Sequence, residues 1–173
     1  MEQIAAWLRE YGLSLLDLHG SAGVEKNWAG AEEYRRRAGV ELVDVLLNAY
    51  PSDFLGLCYD SGHGNFGDAG LSELASVKDR LISIHLHDNS GTGDDHRLPF
   101  SGTVDWPRFV TILSSSAYTK CISLESTMGK EGIAGEEDFL AKAFAAGSRL
   151  SSMVAGIRGG HHNTSQKGVA GSV

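Results

Sequence analysis

The sequence predicts an α/β fold on a parallel sheet of about four βα units. Two observations carry this. Short apolar runs alternate with stretches of helical periodicity, and the runs end in acids and imidazoles. FLGLCYDSGHGNF (Phe54–Phe66) supplies Asp60 and His63. LISIHLHDNSGTGDDHRLPFSGTVDW (Leu81–Trp106) supplies His85, His87, Asp94 and His96, and CISLES (Cys121–Ser126) ends in Glu125. In parallel α/β folds, sites form at the carboxyl ends of the strands.

The elements follow in order. Ile4, Trp7, Leu8 and Tyr11 share a helical face that Gly12 ends. LSLLDLHG (Leu13–Gly20) reads as a strand ending at His19, followed by a loop that holds Trp28. His19 is either a strand-end histidine satisfied by the core or a substrate contact. Trp28 either covers the core or walls a pocket. Residues 31–50 are helical in pattern, with a charged EEYRRR face, a break expected at Gly39 and a stop at Pro51. Phe54–Asp60 is a strand, Leu71–Leu81 a helix with Leu71, Leu74 and Val77 inward, and Leu81–His87 a strand. A long loop then leads to a helix at Trp106–Leu113, with Pro107 in its first turn. Cys121–Ser126 is the next strand. Glu136–Met153 is the last helix, burying Phe139, Leu140, Phe144 and Leu150. Residues 1–154 form the domain, and 155–173, Gly/Ser-rich and holding His161 and His162, form a flexible tail.

Composition narrows the function. The 173 residues suffice for one domain. A formal net charge of −7 and a pI of about 5.4 argue against a nucleic-acid partner, which needs a basic footprint. Cys58 and Cys121 are placed in buried strands, reduced, which fits a cytoplasmic protein. The N-terminal segment is charged and amphipathic rather than a signal peptide, and no run approaches the ~20 apolar residues of a membrane span.

The candidate site has its own chemistry. Mixed carboxylate and imidazole donors suit a divalent Mn, Zn or Co ion better than Mg or Ca. Asp60 equally suits capping of the turn that follows it. His85 and His87 point the same way along a strand. One can be the ligand, His85 before His87, and the other a hydrogen-bonded core or substrate-facing histidine, or both can be structural. Glu125 in a buried strand is costly unless paired or metal-bound. Asp94 and His96 lie in a polar loop, where exposure alone also accounts for them. Asp88 fits orientation of a ligand or of the loop.

CYDSGH followed by HLHDNSGTGDDHRLPFSGTVDW resembles the xylose isomerase-like barrel superfamily, which holds sugar-phosphate isomerases and epimerases together with endonuclease IV-type repair enzymes. The resemblance rests on D-x-x-H (Asp60, His63), H-x-x-D (His85, Asp88), D-x-H (Asp94, His96), the following V-D-W (Val104–Trp106) and the strand-end Glu125. It implies a TIM-barrel-like sheet and one ion held by Asp60, His85 and Glu125. Glu125 would be close to the proton transfer, and His63 a further ligand or a substrate and catalytic contact. It implies aldose–ketose isomerisation or epimerisation of a small sugar or hydroxy-carbonyl compound. In the endonuclease-like branch, Asp94 and His96 would bind a further ion for phosphodiester cleavage at abasic DNA. A whole (β/α)8 barrel takes about 250 residues. Against that length the chain reads as a partial barrel lacking the family's first metal-binding Glu, since Glu32, Glu33 and Glu41 fall on a helix. A degraded non-catalytic metal binder, a homo-oligomer closing the open sheet and a free-standing open sheet all follow from that shortening.

Overall fold

The computed structural model describes residues 6–7, 10–12, 32–67 and 69–166, the last six as backbone only. His19 and Trp28, and the strand expected at Leu13–Gly20, lie outside the described residues. Gly12 has φ +61°, the left-handed geometry expected where a helix ends.

Helix α1 (Glu33–Ala49) runs unbroken through Gly39, which is buried. Arg36 ties it to the next helical layer, pairing with Glu33 and Glu73, each at 2.9 Å. The chain leaves α1 before Pro51, and Arg80 closes that end. Its guanidinium donates to the carbonyls of Leu47 (2.5 Å), Tyr50 (2.9 Å) and Leu55 (2.8 Å), satisfying acceptors that a helix C-terminus leaves open.

Strand β1 (Leu57–Asp60) is shorter than the expected Phe54–Asp60. Phe54 sits in a turn and is exposed. A single helical turn, α2 (Ser61–Gly64), follows at once, and α3 (Gly70–Val77) buries Leu74, with Leu71 and Val77 packed beside it. Strand β2 (Leu81–His85) pairs parallel with β1, placing Asp60 directly beside His85. Among the described residues these are the two sheet strands. The strand expected at Cys121–Ser126 is reduced to one parallel bridge, Leu86 to Leu124. Leu86 donates to the Ser123 carbonyl and Glu125 donates back to Leu86, both at 3.0 Å. Cys121 is therefore exposed rather than buried, and Cys58 is only half-buried. Neither forms a disulfide among the described residues.

Helix α4 (Trp106–Ser114) starts where Asp105 accepts from the Arg108 amide at 3.0 Å, with Pro107 in its first turn. Its apolar face meets the sheet: Tyr59 stacks on Phe109, and Trp106 meets Phe109 edge-on. Helix α5 (Glu136–Gln166) continues past Met153, so helix occupies the start of the stretch assigned to a tail. Leu150 is fully buried, but Leu140 and Phe144 are exposed, contrary to expectation. From α5, Arg158 donates to the carbonyls of Leu113, Ser114 and Tyr118, as Arg80 does for α1.

The loop between β2 and α4 is closed by Asp88, whose side chain is fully buried. Its carboxylate accepts from the amides of Asn89 (2.9 Å), Phe100 (3.0 Å) and Val104 (3.1 Å) and from Trp106 Nε1 (2.8 Å). Its backbone also exchanges two hydrogen bonds with Arg97. Asp88 thus orients the loop, one of the two roles its position suggested. Phe100 (φ +75°) and His96 (φ +51°) adopt left-handed backbone within this loop. Such geometry costs on the order of 1–3 kcal/mol and persists only where neighbours enforce it.

Asp88→Ala would strand four donors. It is expected to cost about 3 kcal/mol or more, read as a lowered denaturant midpoint. A loss under about 1 kcal/mol would contradict this role.

Candidate metal centre

The site is assembled from the ends of β1 and β2, the segment bridged to β2, and the loop that Asp88 closes. Asp60, His85 and Glu125 each offer a ligand atom, and these atoms lie within 4.8 Å of one another. Parallel register sets Asp60 beside His85, and the Leu86–Leu124 bridge sets Glu125 across from them. His85 Nδ1 is 3.0 Å from Glu125 Oε2.

A second group, His87, Asp94 and His96, meets the same 4.8 Å condition. His96 donates from Nδ1 to the Glu125 carbonyl at 2.8 Å, so its Nε2 is turned toward Asp94 Oδ2 at 3.3 Å. His63 is half-exposed, with Nε2 at 3.4 Å from Asp94 Oδ2 and Nδ1 at 3.6 Å from Asp60 Oδ2. The two groups touch through two bonds, His87 Nε2 to Asp60 Oδ1 at 3.0 Å and His96 Nδ1 to the Glu125 carbonyl. The structure therefore brings together all seven described candidates: Asp60, His63, His85, His87, Asp94, His96 and Glu125.

His87 differs from its sequence reading as a substrate contact. Its side chain is 0 % exposed, turned to Asp60, and its ring stacks on that of His96 at 4.0 Å between centroids. Asp60 also caps α2, accepting from the His63 amide at 2.9 Å, so capping and pairing coexist in one carboxylate.

Three supporting residues escaped the sequence reading. Ser61 Oγ donates to the His87 carbonyl (2.7 Å) and accepts from the His87 amide (2.9 Å). Asn89 is buried and donates to the Gly62 carbonyl at 2.8 Å. Gly62 lies so close to His87 that a Cβ there would run into the ring. Their sole signal in the sequence is adjacency to Asp60 and Asp88.

The electrostatics follow. Burial alone would push Asp60 up, but the bonds from His87 and the His63 amide and the nearby imidazoles outweigh it and hold the carboxyl below its usual range. Burial would lower His87, yet its bond to Asp60 and the charges of Asp60, Asp94 and Glu125 raise it above the usual histidine value.

The donor set fits a divalent ion. Two carboxylates and an imidazole converge from different segments, with the mixed oxygen and nitrogen chemistry that Zn, Mn and Co accept. Glu32, Glu33 and Glu41, the acids considered as a further ligand, pair instead with Arg35, Arg36 and Arg37 on α1. Among the described residues no helix is long and apolar enough to cross a membrane.

A parallel α/β arrangement with carboxylates and imidazoles at its strand ends is that of an α/β protein with a strand-end site. The chain belongs to the xylose isomerase-like TIM barrel family, whose profile matches residues 40–143. It is 39% identical over 131 residues to the uncharacterized protein y4fM of Sinorhizobium fredii, covering 75% of this chain and 40% of that protein. It is 26% identical over 97 residues to the uncharacterized protein MJ1311 of Methanocaldococcus jannaschii, covering 53% of this chain and 32% of that one. The chain thus spans well under half the length of the curated relatives it matches. No solved structure gives a significant match.

The shifts predict a two-sided pH profile for the metal-free protein. Asp60's contribution is present above 3.8 and lost as pH falls through its depressed value. That of His87 is full below 6.5 and lost as pH rises through its raised value. Melting temperature should fall on both sides of this window, and His87→Gln should flatten the alkaline limb. An alkaline limb unchanged by that substitution would contradict the assignment.

Proposed function

We propose that this chain carries a divalent-metal-assisted isomerase or epimerase site for a small sugar, sugar phosphate or hydroxy-carbonyl compound. The observation that carries the reading is the convergence of Asp60, His85 and Glu125 within 4.8 Å at strand ends, in a chain of this family. When bound, a Mn, Zn or Co ion would polarise the substrate's carbonyl and adjacent hydroxyl. Asp60 and His85 hold the donor side of the site. Glu125, exposed and steadied by His85, takes a proton from one carbon and returns it to the neighbouring one. His63, half-exposed at the rim, hydrogen-bonds a substrate oxygen.

A second reading is metal-dependent phosphodiester cleavage at abasic DNA. The second donor group of His87, Asp94 and His96 favours it, and the net charge of −7 opposes it. A non-catalytic metal binder is the third, supported by the absence of a further carboxylate from either group among the described residues. Within the proposal the protein is cytoplasmic, with Cys58 and Cys121 reduced, and a second copy covers the open sheet.

The test is a screen of aldoses, ketoses and their phosphates with the metal-loaded protein. Glu125→Gln should lower turnover by about 10²–10⁴-fold. Undiminished turnover in that variant would refute the assignment of Glu125.

A further inference from the structure

We propose that His87 is the positioning residue of this centre: its Nε2–H holds Asp60 Oδ1, so that Asp60 presents Oδ2 alone to the ion shared with His85 and Glu125. The inference rests on the metal reading of those three residues.

The ring has no freedom to do otherwise. The backbone of His87 is held on both sides by Ser61 Oγ. Gly62 closes over one edge of the ring, leaving no room for a Cβ, and the His96 ring lies against it at 4.0 Å and 10°. Within this enclosure Nε2 is 3.0 Å from Asp60 Oδ1 and 3.8 Å from Asp94 Oδ1, so Asp60 is its partner.

The other ring nitrogen fixes the tautomer. His87 Nδ1 is buried and, among the described residues, has no hydrogen-bond partner. A proton on Nδ1 would leave a buried N–H unpaired and turn the Nε2 lone pair against a carboxylate oxygen. A proton on Nε2 leaves only a lone pair at Nδ1 and makes the bond to Asp60. A nitrogen that carries this proton does not ligate a metal. His87 therefore supports the first donor group rather than completing the second. Asp60 Oδ1 also accepts from the His63 amide at 2.9 Å. Oδ1 is thus saturated by two donors, while among the described residues Oδ2 has His63 Nδ1 alone, at 3.6 Å. A second-layer donor of this kind fixes which oxygen a carboxylate ligand offers.

The experiment uses the full chain and Co²⁺ alone as probe, with affinity read by chelator competition and geometry by the visible absorption of the bound ion. His87→Leu should weaken Co²⁺ binding by about 10–100-fold and alter the spectrum. His87→Gln, which keeps an N–H at a similar reach, should restore both. Native-like binding in His87→Leu would overturn the positioning role, as would a His87→Gln variant as weak as His87→Leu. The tautomer is read independently of any variant's folding, by ¹⁵N NMR of the imidazoles in the unsubstituted, metal-free protein at a pH where the ring is neutral. Protonation at Nε2 is expected, and protonation at Nδ1 would overturn the proposal. Failure of the unsubstituted protein to take up Co²⁺ would bring down the metal reading and this role with it. Uptake indifferent to His87 would bring down this role alone.

Discussion

The buried carboxylate of Asp88 is the constraint on which the rest depends. It draws in four N–H donors, three of them from residues 100, 104 and 106. That gathering turns the stretch after β2 back on itself, starts α4 against the sheet through Trp106, and leaves Asp94 and His96 over the strand ends. The left-handed backbone at His96 and Phe100 is the conformational cost of so tight a return. Phe100 offsets part of it by packing its ring on Trp106 and under the Arg149 guanidinium.

From that knot the chemistry is organised in layers. At the surface, Glu125, Asp94 and His63 are open to solvent. Beneath them, Asp60 and His85 sit side by side at the strand ends. Lower still, His87, Ser61 and Asn89 are fully enclosed and join the ends of β1 and β2 to each other. Polar groups in this lowest layer are tolerated because nearly all find partners. Among the described residues the unpaired Nδ1 of His87 is the departure, and it is the atom that reveals how the ring is used.

Legibility in the sequence followed the range of the interactions. Asp60, His85 and Glu125 were visible because a strand-end acid or imidazole is a local pattern, and the parallel register then aligned them without further information. α1, α3 and α4 were visible from periodicity, capping and the prolines at 51 and 107. What could not be read was long-range. Nothing near Asp88 announces that three of its four donors lie twelve to eighteen residues away, nor that Arg80 and Arg158 close helices elsewhere in the chain. The CISLES run has strand composition, but among the described residues it makes a single bridge and leaves Cys121 outside. Leu140 and Phe144 share one helical face, but Leu150, six residues past Phe144, is turned about 120° away from it, and it is the Leu150 face that the core covers. The two histidines of HLH both come near Asp60 but differ in depth: His85 stays half-exposed and His87 is sealed.

The central claim is that Asp60, His85 and Glu125 form one metal centre. Elemental analysis across a gel-filtration peak tests it most directly, comparing the unsubstituted chain with Asp60→Ala. The account predicts about one Mn, Zn or Co per chain, as a strand-end site of this donor chemistry implies, lost in the variant. A folded, monodisperse peak without metal, or metal content indifferent to Asp60, would contradict it.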